Sequence, residues 1–170
     1  MVAVVALDVP IYLHPGPPEH PVALRAYPEW QNASFGWAVE CAAHTLRLVS
    51  SGVFERFPAL QLILGHLGEA LPFQLWRMDE RWSVMNKAKP LAELPSFYLR
   101  RNVAITTAGV HDSAALRHAI TAMSIENVLF SIDYPFMAMR RAADFTDNAD
   151  VSETERQLIC SGNAERLLRL

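Results

Sequence analysis

Cysteine is scarce in this chain. There are two in 170 residues, Cys41 and Cys160, and neither sits in a CxxC or zinc-knuckle spacing. That excludes a disulfide-stapled secreted scaffold and a structural zinc module, and it predicts two buried thiols in a reducing compartment. Positive charge is also short, with 15 Lys and Arg against 18 Asp and Glu and a net charge of -3. No basic patch stands out, which argues against nucleic acid as a partner. Long apolar runs are missing too. The N-terminal "MVAVVALDVPIYLHP" is broken by Asp8 and Pro10. It falls far short of the roughly 20 residues of a membrane helix, and it lacks the basic start of a signal peptide. The expectation is therefore no membrane and, by default, a cytoplasmic location. No short repeat and no low-complexity tract is present.

What is there is a globular composition, 51% hydrophobic and 19% charged, long enough for one domain over residues 1–170 to bury a sizeable core. Four short apolar runs recur: "VPIYLH" (9–14), "LQLILGH" (60–66), "NVAITT" (102–107) and "NVLFSID" (127–133). Each is nearly continuous in apolar residues, as strands buried on both faces of a parallel sheet are. Helical patterns alternate with them. "GWAVECAAHTLRLVSSG" (36–52) runs to a capping Gly52, and "LPFQLWRMDERWSVMN" (71–86) is amphipathic with Pro72 in its first turn. "SAALRHAITAM" (113–123) follows the third strand. "SETERQLICSGNAERLLRL" (152–170) opens on the capping box Ser152–Glu155 and is expected to break near Gly162. "HPGPPEHP" (14–21), which holds His20, reads as a proline-rich loop. The order predicts an α/β fold with parallel strands.

The polar residues fall at strand ends. His14 closes the first run, His66 the second, Thr106 and Thr107 the third, and Asp133 the fourth. In a parallel α/β fold the C-terminal strand edge is where ligands bind. Two imidazoles, a carboxylate and the trailing Glu69 on one edge make the chemistry of a divalent-metal site. Plainer readings exist for each residue. His14 precedes a proline and fits a loop, Asp133 before Tyr-Pro fits a turn start, and Glu69 fits the first turn of a helix, favoured by its dipole. His66 between Gly65 and Gly68 is harder to dismiss, since glycines let a ligand approach the backbone closely. His44 is expected to pack within its helix, and His111 and His118 to be surface or loop-flanking residues. Trp76 and Trp82 are expected in the core or an interface.

The segments "LDVPIYLHP", "HTLRLVSSGVFERFPALQLILGHLGEALPFQLWRMDER", "NVAITTAGV", "ENVLFSIDYPF" and "GNAERLLRL" resemble the amidohydrolase-related family, in its branch of non-oxidative aromatic decarboxylases. These act on γ-resorcylate, 2,3-dihydroxybenzoate and salicylate, with aminocarboxymuconate-semialdehyde decarboxylase as a cousin. The resemblance implies a (β/α)8 TIM-like barrel with one divalent metal, zinc first and manganese as the alternative. Carried over residue by residue, it makes His14 and Asp133 metal ligands, and His66 and Glu69 a catalytic pair beside the metal. Arg77 would reach a substrate carboxylate across a subunit interface of a homo-oligomer, and Phe136 would line the substrate pocket. A full barrel takes about 250 residues, and four strand–helix units are legible here. The family's first strand, with an acidic residue and often a histidine for the metal, has no counterpart. The expectation is the C-terminal half of a barrel, with exposed strand edges and a metal shell too sparse to bind tightly alone.

The chemistry implied is loss of carbon dioxide from a small aromatic carboxylic acid. The proton for the ring carbon would come either from Asp133 or from His66 acting with Glu69. Two rivals remain open at this point: a metal-dependent hydrolase of the same superfamily, and a half-barrel with no catalysis of its own.

Overall fold

The computed structural model describes residues 1–16, 26–85 and 91–170. A short helix α1 (Val2–Leu7) leads into strand β1 (Ile11–Leu13). Helices α2 (Gly36–Ser50) and α3 (Val53–Arg56) follow, then strand β2 (Leu62–Leu64). The four-residue turn α4 (His66–Glu69), helix α5 (Leu71–Val84) and helix α6 (Pro95–Asn102) lead to strand β3 (Val103–Thr106). Helix α7 (Ser113–Met123) precedes the two-residue strand β4 (Val128–Leu129). Helices α8 (Met139–Asn148), α9 (Glu153–Gln157) and α10 (Asn163–Leu168) end the chain.

All four strands are parallel, in the order β1-β2-β3-β4. Ile11 pairs with Leu62, Leu62 with Val103, and Ile105 with Val128. Period-two alternation then splits the sheet into two faces. One face carries Leu62, Leu64, Val103, Ile105 and Val128 into the main core, against the helices. The other carries Tyr12, Ile63, Ala104 and Leu129, and α10 covers its lower part with Ala164 and Leu167.

The helices bury one stripe each, as their spacing dictates. In α2 the buried positions are Gly36, Cys41, Thr45 and Val49, and in α7 they are Leu116, Ala119, Ile120 and Met123. Gly52, at φ 71°, ends α2 in the left-handed region that glycine tolerates, as expected. The Ser152–Glu155 capping box forms in both directions. Helix α7 adds an N-cap, with Asp112 accepting from the Ala115 N–H at 2.8 Å.

Several expectations need correction. The terminal helix does not break at Gly162. It widens into a π-helical turn over Leu158–Gly162 and continues, with Gly162 itself helical. Helices α1, α3, α6 and α8 had no counterpart in the sequence reading. Cys160 is exposed, although Cys41 is buried. His44 lies on the outer side of α2 near Glu40 rather than packed inside, and Trp76, 75% exposed, is not in the core, one of the two places expected for it. His111 does flank the loop before α7, but its ring nitrogens are buried, against Phe145, rather than at the surface. Most of the proline-rich segment 14–21, including His20, and Asn86 at the end of the predicted helix lie outside the described residues.

Candidate active site at the C-terminal sheet edge

The site is built on the turn after β2. From His66 to Ala70 the backbone stays at positive φ: 50° at His66, 51° at Leu67, 81° at Gly68, 55° at Glu69 and 65° at Ala70. Four of these five residues carry a Cβ, for which the left-handed region costs free energy. Burial holds the turn in place. Leu67 enters the main core and Glu69 is 6% exposed. Gly68 is required here, because a Cβ would stand 2.9 Å from Ile105 Cγ2 and 3.1 Å from the Pro72 ring.

The turn brings His66 and Glu69 together. His66 Nδ1 and Glu69 Oε1 are 2.6 Å apart, a short charge-assisted contact. An Nδ1–H donating to Glu69 leaves Nε2 as the working nitrogen, and that atom lies 3.9 Å from Asp133 Oδ2. The hydrogen bond to Glu69 raises the His66 pKa above its usual range. Burial of the ring opposes the rise, and the charges of Glu69 and Asp133 add to it. Helix α2 closes the back of the turn. The Cys41 thiol there is pushed up to about 12, first by burial and then by the charges of Glu69 and Glu40.

Asp133 reaches the site from four residues beyond β4, not from the strand end itself, and its own φ is 72°. Thr107 ties that segment to β3. Its Oγ1 donates to the Ser131 carbonyl and accepts from the Ser131 N–H, both at 3.0 Å. Gly109, at φ 67°, makes the remaining room. A Cβ there would stand 2.8 Å from His66 Cδ2 and 3.3 Å from both His66 Nε2 and Asp133 Oδ2. Sequence reading missed Gly109, although a lone glycine just after a strand in "TTAGV" was a signal.

The structure thus joins His66, Glu69 and Asp133. His14 follows β1 on the same sheet edge and is exposed, with its Nδ1 3.0 Å from the Pro15 carbonyl. An Nδ1–H donated to that carbonyl frees Nε2 for a metal, the usual arrangement behind a ligating imidazole. Among the described residues no three His, Cys, Asp or Glu side chains converge into a complete cation shell. Arg77 is exposed on α5, and Phe136 is 79% exposed, with its N–H donating to the Asp133 carbonyl at 2.9 Å. Among the described residues neither makes a side-chain hydrogen bond to the joined trio. No helix among the described residues is long and apolar enough to cross a membrane.

A family model described as Amidohydrolase matches residues 1–170. Gamma-resorcylate decarboxylase of Polaromonas sp. is 40% identical to this chain, over 97% of it and 52% of that protein. The crystal structure of 2,6-dihydroxybenzoate decarboxylase from Rhizobium superposes with a TM-score of 0.93 at 36% identity, covering 98% of this chain and 53% of that one. A dihydroxybenzoic acid decarboxylase from Polaromonas sp., solved with manganese and the inhibitor 2-nitroresorcinol, superposes with a TM-score of 0.91 at 38% identity. It covers 99% of this chain and 52% of that one. The chain spans about half the length of the curated relatives it matches, which agrees with a half-barrel.

Proposed function

This chain belongs to the amidohydrolase family, and from that premise we propose that it carries one half of a metal-dependent, non-oxidative decarboxylase of hydroxylated aromatic acids. The observation that supports this most is the His66–Glu69 pair at 2.6 Å, with the opposite ring nitrogen facing Asp133 across 3.9 Å. The decarboxylases among its relatives add to that support.

The donors present fit part of a divalent-metal shell. The Asp133 carboxylate and the His14 imidazole, with its Nδ1 on a carbonyl, would hold the ion. Zinc and manganese both suit these donors, and a solved relative contains manganese. When bound, the metal supplies charge neutralisation and orientation of the acid. The rest falls to this chain's residues. Glu69 holds His66 in one tautomer and favours its charged form. A proton from His66 Nε2, or from Asp133 if it is the protonated partner, goes to the ring carbon that bears the carboxylate. The new C–H bond forms, the C–C bond breaks, and its electron pair returns to the ring as carbon dioxide leaves. Arg77, exposed on α5, would pair with a carboxylate across a subunit interface of a homo-oligomer, and Phe136 would wall the ring. We assign this chemistry to the cytoplasm, in keeping with two unpaired cysteines.

The test is carbon dioxide release from 2,6-dihydroxybenzoate by the purified chain with manganese. Release that falls by roughly 10²–10⁴ in Glu69→Gln is expected. Hydrolysis of a lactone with no carbon dioxide from any hydroxybenzoate would overturn the reading in favour of a hydrolase.

A further inference from the structure

Three glycines border the site, and only two are demanded by the backbone. Gly68 and Gly109 have φ of 81° and 67°, and a Cβ on either would come within 3.0 Å of a neighbour. Gly65 is different. It sits at φ -70° in extended backbone that any residue adopts. A Cβ there would meet only Tyr12 Oη at 3.8 Å and Glu69 Oε1 at 4.0 Å, both ordinary contacts. Alanine would therefore fit. What the glycine leaves is space that both the Tyr12 phenol and the buried Glu69 carboxylate border.

The phenol, on a residue that is 52% exposed, is tethered by one hydrogen bond. Tyr12 stands on the sheet face away from the main core, and its Oη lies 3.2 Å from Thr106 Oγ1, which is on the same face two strands away. Thr106 is 2% exposed, and its Oγ1 also accepts from the Ala108 N–H at 3.4 Å. With that acceptance made, the Thr106 hydroxyl proton can go to Tyr12. The phenolic proton is then free to face that space. The hydrogen-bond partner of the Glu69 side chain among the described residues is His66. A carboxylate this buried is stabilised by further donors.

We propose that Tyr12, anchored by Thr106, is a positioning residue for the His66–Glu69 pair, acting across a gap that Gly65 keeps open for one water-sized hydroxyl group. The arrangement rests on the chain's own hydrogen bonding and holds whether or not the decarboxylase reading does.

The experiment is proton NMR of the metal-free, substrate-free chain, following the His66 Nδ1–H signal. Tyr12→Phe keeps the ring and removes the hydroxyl. It is expected to shift that signal and to speed its exchange with water roughly five- to tenfold, the loss of one ordinary hydrogen bond. Thr106→Val should do the same, Thr106→Ser should restore the wild-type signal, and Gly65→Ala should move it with Tyr12 intact. A purely packing role for Tyr12 predicts no change in Tyr12→Phe. An unmoved signal in both Tyr12→Phe and Gly65→Ala, with the backbone spectrum otherwise native, would overturn the proposal. If Tyr12→Phe fails to fold, Gly65→Ala and the Thr106 pair decide alone, since neither removes the ring.

Discussion

The two ends of this sheet are built on opposite principles. At the N-terminal end, asparagines clamp the backbone. Asn102 Nδ2 donates to the carbonyls of Pro58 and Leu60 at 3.0 and 2.7 Å, and Asn163 Nδ2 donates to those of Ile125 and Val128 at 2.8 Å each. Asn127 Nδ2 donates to those of Arg100 and Met123 at 2.7 Å. At the C-terminal end, the whole turn from His66 to Ala70 holds positive φ, and so do Gly109 and Asp133. There a carboxylate is buried, and imidazole and carboxylate face each other at 3.9 Å. One end uses its polar groups to satisfy the backbone, and the other holds them in tension. That asymmetry is what separates a stabilising edge from a chemical one in parallel α/β folds.

Substitutions at the two ends should therefore separate stability from ligand binding. The largest stability loss is expected from Asn163→Ala, which leaves two carbonyls without their side-chain donor. It should cost roughly 2–4 kcal/mol in urea unfolding while leaving manganese affinity unchanged. Gly109→Ala forces a Cβ into His66 at positive φ. It should cost about 1–3 kcal/mol and, unlike Asn163→Ala, weaken manganese binding. Ser152→Ala, which removes the capping box of α9, should cost about 1 kcal/mol and change no binding. The smallest effect is the pH dependence at His66. Its folded pKa is raised, so the associated stability is fully present below the unfolded value near 6.5 and is lost as pH rises through the folded one. As pH rises above the unfolded value of about 6.5, the urea midpoint of the wild type should fall more than that of Glu69→Gln. Equal slopes would mean that Glu69 does not hold the His66 proton.

The fold was legible where the pattern was periodic. All four apolar runs became parallel strands. Each strand is shorter than its run, because backbone pairing ends where the chain turns toward a helix. Helix α7 matches its predicted span from Ser113 to Met123. Helices α1, α3, α6 and α8 were missed because short helices are fixed by tertiary packing more than by local pattern. In the site, the meeting of His66 with Glu69 was readable from "GHLGE". The left-handed conformation of Leu67 and Ala70 was not, since nothing in a leucine or an alanine announces positive φ. The lone glycine in "TTAGV" marks a tight spot after β3, but that the room it leaves is taken by His66 and Asp133, both distant in sequence, is not written locally.

The most direct test of the account is manganese binding by the purified chain, followed by electron paramagnetic resonance, in wild type, His14→Ala, Asp133→Ala and Asn163→Ala. Saturable binding that is lost in His14→Ala and Asp133→Ala but kept in Asn163→Ala is the predicted result. Binding that is absent in the wild type, or untouched by Asp133→Ala, would contradict a metal site at the C-terminal edge.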